Sequence, residues 1–91
     1  MVITERYSDR FGDEDFAGVL PEETETVRGL YAAGTLRQIW LRDDTRGACF
    51  LLEADSLHDA ETAVAALPLA QKEMSGFQII PLRPYGGFGP S

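Results

Sequence analysis

An acid, a guanidinium, an amide and an indole stand close together in the middle of the chain, at Glu25, Arg37, Gln38 and Trp40. The last three belong to the run Gly34-Thr35-Leu36-Arg37-Gln38-Ile39-Trp40, which places them at the mouth of a strand-like segment. An arginine there can hold a carboxylate or an enolate oxygen through paired N–H donors; otherwise it serves as a surface ion pair with a helix acid. Trp40 offers an apolar face on which a planar substrate could stack, although a large aromatic on a central strand equally fills a core or an interface. Gln38 shares the Trp40 face by alternation, so it is a polar group set among apolar ones. Glu22, Glu23 and Glu25 occupy the first turns of a helix, where acids complement the helix dipole. Glu25 lies near the edge of the apolar helical stripe, close to Val27 and Tyr31, where partial desolvation would raise its pKa and suit it to general-base work. Tyr7, Tyr31 and Tyr85 either line a pocket or pack. His58 follows an N-cap residue and reads as a surface histidine.

Several other chemistries find no support in the sequence. There is no phosphate-binding glycine loop, nucleophile elbow or zinc signature, and Gly86-Gly87-Phe88-Gly89 is too short and too near the end to cradle a phosphate. Cys49 is the sole cysteine and His58 the sole histidine, so neither an intramolecular disulfide nor a Cys/His metal set can form. Cys49, between Ala48 and Phe50, reads as a small buried side chain. No cofactor is indicated. Ninety-one residues make one domain, with 44% hydrophobic and 25% charged residues, the balance of an ordinary globular protein. Eight basic against fifteen acidic residues give a net charge of −7. A surface of that sign repels nucleic acid and anionic lipid. The start carries no basic region followed by a long apolar run, and no segment reaches bilayer length, so the expected location is the cytoplasm and no membrane partner is expected.

The elements that must position these residues follow from periodicity. Residues 1 to 8 suggest a first strand, and Asp9 to Asp15 a loop. Phe16, Leu20, Val27, Leu30 and Tyr31 recur at helical intervals over Phe16 to Ala33, with Pro21 interrupting or restarting the helix and Gly34 stopping it. Thr35 to Arg42 and Gly47 to Ala54 read as paired strands joined by a turn at Asp43 to Gly47. Ser56 and Asp59 mark a capped helix start, followed by the stripe Leu57, Ala60, Val64 and Leu67 up to Pro68. A short Leu69 to Ser75 segment, which can form another helical turn, leads through Gly76 to a last strand, Phe77 to Leu82. The whole predicts an α+β, ferredoxin-like βαββαβ domain over 1–82, a four-stranded antiparallel sheet with two helices on one face, and a C-terminal tail over 83–91.

Apolar side chains fall on both faces of the strands. Alternation sets Leu36 and Trp40 against Ile39 and Leu41, Ala48, Phe50 and Leu52 against Cys49 and Leu51, and Phe77 and Ile79 against Ile80 and Leu82. Two amphipathic helices cover one face only. The other predicts an interaction surface, with a second copy of the chain as its simplest partner.

Glu25, the run Gly34-Thr35-x-Arg37-x-x-Trp40 and the later Leu67-Pro68-Leu69 resemble the muconolactone delta-isomerase family over roughly residues 22 to 82. The ending Arg83-Pro84-Tyr85-Gly86-Gly87-Phe88 is a closer match to small relatives of that enzyme with an Arg-Pro-Tyr-x-x-Phe tail. The resemblance implies a dimeric α+β barrel and a cofactor-independent isomerase or cyclase-like enzyme acting on a small lactone or enolisable oxygenated metabolite. On that reading Glu25 is the base, Arg37 and Gln38 steady the developing oxyanion, and Trp40 with Tyr31 forms the apolar wall of the substrate pocket. Gln38 departs from the family, which carries a histidine at that position, and an amide cannot shuttle a proton near neutral pH. The alternative is a non-catalytic small-molecule-binding or assembly module on the same dimeric scaffold. A haem-binding relative would have to use His58 as its ligand.

Overall fold

The computed structural model describes residues 1–88 of the chain. It is an α+β arrangement in which strands β1 (Val2–Arg6), β2 (Leu36–Leu41), β3 (Ala48–Leu52) and β4 (Ser75–Ile79) form one open antiparallel sheet in the order β2-β3-β1-β4. Helices α1 (Asp13–Ala17) and α2 (Leu20–Ala32) connect β1 to β2, and α3 (Leu57–Ala65) and α4 (Pro68–Gln71) connect β3 to β4. Both connections skip one strand position in the sheet, a topology compatible with a ferredoxin-like fold.

The helical stretch expected over 16–33 is two helices. Gly18 ends α1, and α2 restarts at Leu20 with Pro21 in its first turn, where the missing N–H of proline costs no hydrogen bond. The first helix also begins earlier than expected, because the Gly12 N–H donates to Asp15 Oδ2 at 2.8 Å and closes a turn there. Gly34, at φ 80°, takes the left-handed position that terminates α2. The Ser56 hydroxyl accepts from the Asp59 N–H at 3.1 Å and caps α3 as the sequence predicts. The last strand starts two residues before its expected position, since Ser75 and Gly76 pair with Arg6 and Glu5. It closes at Ile79; Ile80 still donates to the Met1 carbonyl at 2.7 Å, and Pro81, with no N–H, cannot extend the ladder.

Strand β2 differs most from simple alternation. Its pairing with β3 shifts between Leu36 and Gln38, a bulge that inserts one residue. Leu36 therefore faces the helices, as Ile39 does, and does not share the Trp40 face. Gln38 and Trp40 do lie on the same side, opposite Leu51 and Cys49 respectively.

The core lies between the sheet and the helices. One cluster unites Val2, Leu36, Phe50, Val64 and Leu67, with Val27 and Leu30 of α2 against it. A second, at the α1 and α4 end, holds Phe16, Val19, Leu69 and Met74. The opposite sheet face carries no element of the described chain. Across it runs a row formed by Trp40, Cys49, Ile3 and Gln78, and Trp40 is 47% exposed and Ile80 37%. Cys49 is half-buried on this open face, not enclosed in the core. No helix among the described residues is long and apolar enough to cross a membrane.

After β4 the chain runs exposed along its C-terminal segment, with Leu82 and Tyr85 largely solvent-accessible, to a single 3₁₀ turn at Gly86–Phe88. The end of the expected tail, residues 89–91, lies outside the described residues.

Candidate functional site

Between the two core clusters the packing opens into a cavity of about 200 Å³. Its floor is the helix-facing side of the sheet, with Thr4 and Arg6 from β1, Ile39 from β2, Phe50 from β3 and Phe77 from β4. Its roof is α2, α3 and α4, through Leu20, Glu23, Val27, Val64 and Leu69. The helices are too few to cover the sheet to its edges. Ile39 stays 40% exposed, Phe77 39% and Leu41 80% on the two outer strands, so the cavity keeps an opening to solvent. Beyond it, toward Leu30 and Leu36, the core closes to a void of about 10 Å³, too small for more than one water.

Glu23 brings the only carboxylate into this lining. It sits on the inner stripe of α2, three residues after Leu20 and four before Val27. Burial raises its pKa above the ordinary carboxylate value; the Leu69 N–H and the charge of Arg6 oppose that shift, and Glu22 adds to it. Glu23 Oε2 accepts the Leu69 N–H at 3.2 Å, which satisfies a donor in the first turn of α4. Glu23 Oε1 makes no hydrogen bond within the described residues, and no side-chain oxygen or nitrogen there is both buried and unpaired, so Oε1 remains reachable by a ligand.

Arg6, the last residue of β1, is half-buried in the same lining, and its guanidinium carbon stands 5.4 Å from the centroid of the Phe16 ring. The Thr4 hydroxyl, by contrast, is fully engaged with Ala48, donating to its carbonyl and accepting its N–H at 3.0 Å. An apolar chamber with one partly desolvated acid and one cation can bind a small, largely apolar molecule and move a proton on it.

The residues anticipated as a site are dispersed. Glu25 is on the outer side of α2 with its side chain 80% exposed, 4.0 Å from Arg28. Tyr31 is 66% exposed at the far end of the same helix. Arg37 projects at the β2 bulge, exposed, and takes part in none of the ion pairs of the described residues. Gln38 and Trp40 lie on the sheet face turned away from the helices. None of these five lines the cavity of the single chain. His58 is exposed in the first turn of α3. Among the described residues no group of three His, Cys, Asp or Glu side chains is placed to hold a metal.

In the sequence Glu23 stands among the helix-start acids, and a stripe defined only through its apolar members skips an acid within it. The spacing Leu20, Glu23, Val27, Leu30 is the signal that finds it. Arg6 has a comparable signature, sharing a strand face with Val2 and Thr4 by alternation.

The fold and the cavity together define an α+β protein with an internal, acid-bearing pocket between sheet and helices. Comparison with models of known protein families gives no match, and neither does comparison with curated proteins.

Proposed function

We propose that the protein is a cofactor-independent isomerase or cyclase-like enzyme acting on a small lactone or other enolisable oxygenated metabolite, with Glu23 in the base role that the sequence pattern assigned to Glu25. The observation that carries this reading is the half-buried Glu23 carboxylate, its pKa raised by burial, at the wall of an otherwise mainly apolar cavity. A base with a raised pKa sits nearer the working pH, which improves proton transfer to and from carbon. In the reaction, Glu23 Oε1 takes a proton from the carbon beside the substrate carbonyl. The electron pair moves onto the carbonyl oxygen, and the same carboxyl returns the proton at a conjugated carbon, which shifts the double bond.

The proposal includes a homodimer in which two sheets pack by their open faces into an α+β barrel. Trp40, Ile3, Leu51 and Ile80 would then leave water, and Gln38 would lie inside the joint. The apolar content of that face supports a partner of the same kind, because a second copy supplies a matching surface under two-fold symmetry.

The test is hydrogen exchange from carbon in D2O, followed by proton NMR, on a panel of butenolides and cyclic enolisable ketones. The parent protein should exchange at least one member, and Glu23→Gln should slow it by about 10²- to 10⁴-fold. Exchange at the parent rate in that variant would remove Glu23 from the chemistry. A second reading, a binding module without turnover, is favoured by Gln38 lying on the sheet face away from the cavity. It predicts saturable binding by the panel with no exchange above buffer.

A further inference from the structure

The cavity holds one cation whose hydrogen-bonding capacity is unspent. The Arg6 guanidinium belongs to none of the ion pairs among the described residues and donates none of the side-chain hydrogen bonds there; its contact is with the face of Phe16, at 5.4 Å. That ring orients the planar group without using its N–H donors. Arg6 acts on Glu23 through its charge, yet the two form no salt bridge. A guanidinium and a carboxylate thus line one chamber without an ion pair between them.

We infer that Arg6 and Glu23 form a single-charge oxyanion site, in which a ring-sized ligand with an acidic hydroxyl or enolisable carbonyl is held as its oxyanion against Arg6 while Glu23 carries the proton. The inference rests on the cavity being the small-molecule site proposed above. Charge conservation supports it. With the cavity empty, the negative charge facing Arg6 is the Glu23 carboxylate. When the ligand O–H or α-C–H bond breaks, its proton forms a bond to Glu23 Oε1 and its electron pair stays on the ligand oxygen. One negative charge still faces Arg6, and the oxygen now carrying it accepts the free N–H donors. Nothing is oxidised or reduced, and the total charge of the chamber stays constant, which avoids the cost of burying a second anion.

The site predicts opposite effects of its two members. Glu23→Gln copies the protonated acid, keeps a carbonyl oxygen for the Leu69 N–H and removes the competing charge. Arg6→Met keeps the apolar stem and removes the cation. The probe is 4-nitrophenol, whose phenolate absorbs in the visible, with nitrobenzene as its neutral counterpart. Bound to the full chain, 4-nitrophenol should ionise at a lower pH than in water. Glu23→Gln should bind the phenolate about tenfold tighter or more, Arg6→Met should weaken it about tenfold or more with nitrobenzene affinity unchanged, and Arg6→Lys should restore part of the loss. Circular dichroism of each variant establishes that it is folded. Nitrobenzene binding without any preference for the phenolate, or equal phenolate affinity in a folded Arg6→Met protein, overturns the charge inference alone. Failure of both probes to bind at millimolar concentration overturns it together with the cavity reading.

Discussion

Glu23 and Glu25 are two residues apart on one helix and have opposite environments. On a helix that separation rotates a side chain by more than half a turn, so the acid aligned with Leu20 and Val27 enters the cavity and its neighbour points to water. The consequence is measurable as pH-dependent stability. Burial raises the folded-state pKa of Glu23 above its unfolded value. The folded protein therefore carries no penalty from this group below the unfolded pKa, and the full penalty once pH exceeds the folded one. Replacing Glu23 with Gln removes that dependence. Urea midpoints of parent and variant should lie closest at acid pH and separate in favour of the variant as pH rises through the carboxylate range. A gap that narrows over the same range would mean that the Leu69 hydrogen bond outweighs desolvation. A variant that is more stable and less active fits an acid retained for chemistry.

The hairpin of β2 and β3 meets β1 without room to spare. A Cβ built on Gly47 would stand 2.0 Å from the Thr4 carbonyl oxygen, which also accepts from Arg42 Nη1 at 3.2 Å. Next to this contact, Arg42 and Asp44 form a bidentate pair, with Nη2 to Oδ2 at 2.6 Å and Nε to Oδ1 at 2.9 Å. Arg46 reaches across to Asp13 at the start of α1. Gly47→Ala must push two strands apart where the neighbouring atoms are backbone, and a cost of roughly 2–4 kcal/mol is expected in urea denaturation. Asp44→Ala breaks an exposed, solvent-screened pair and should cost much less than Gly47→Ala. An equal cost for the two would show that the turn, not the close approach, determines the pairing. Because Thr4, Gly47 and Ala48 also line the cavity, displacement at this junction should weaken nitrobenzene binding as well.

Among the described residues, one sheet face is roofed by helices and the other carries no covering element. The dimer reading predicts a solution mass twice the 10.0 kDa of the chain. It also predicts that Trp40→Asp, by placing a charge within the buried joint, gives a folded monomer. Sedimentation at several concentrations measures both. A net charge of −7 on each chain makes the two copies repel, so added salt should tighten the association. A parent protein that sediments as a monomer at tens of micromolar, or an unchanged mass in the Trp40→Asp variant, would leave the open face to some other partner.

Much of this organisation is carried by local chemistry and is therefore legible along the chain. The apolar spacing of α2 and α3, the Ser56 cap, the glycine at the end of α2 and the two-residue alternation of β3 and β4 each depend on neighbours a few positions away. Together they dictate the helix and strand order that the sheet realises. The phase of β2 is different. The bulge between Leu36 and Gln38 arises from pairing with β3, more than ten residues away, and it decides that Leu36 joins the core while Trp40 stays on the open face. The cavity is likewise a tertiary product. It exists because the helices of the described residues cannot cover both the centre and the edges of the sheet, and Arg6 from the first strand and Glu23 from the second helix both line the gap they leave. Residue types gave the sequence an acid, a cation and apolar stripes; the rotation of one helix and the slip of one strand determined which of them share a chamber.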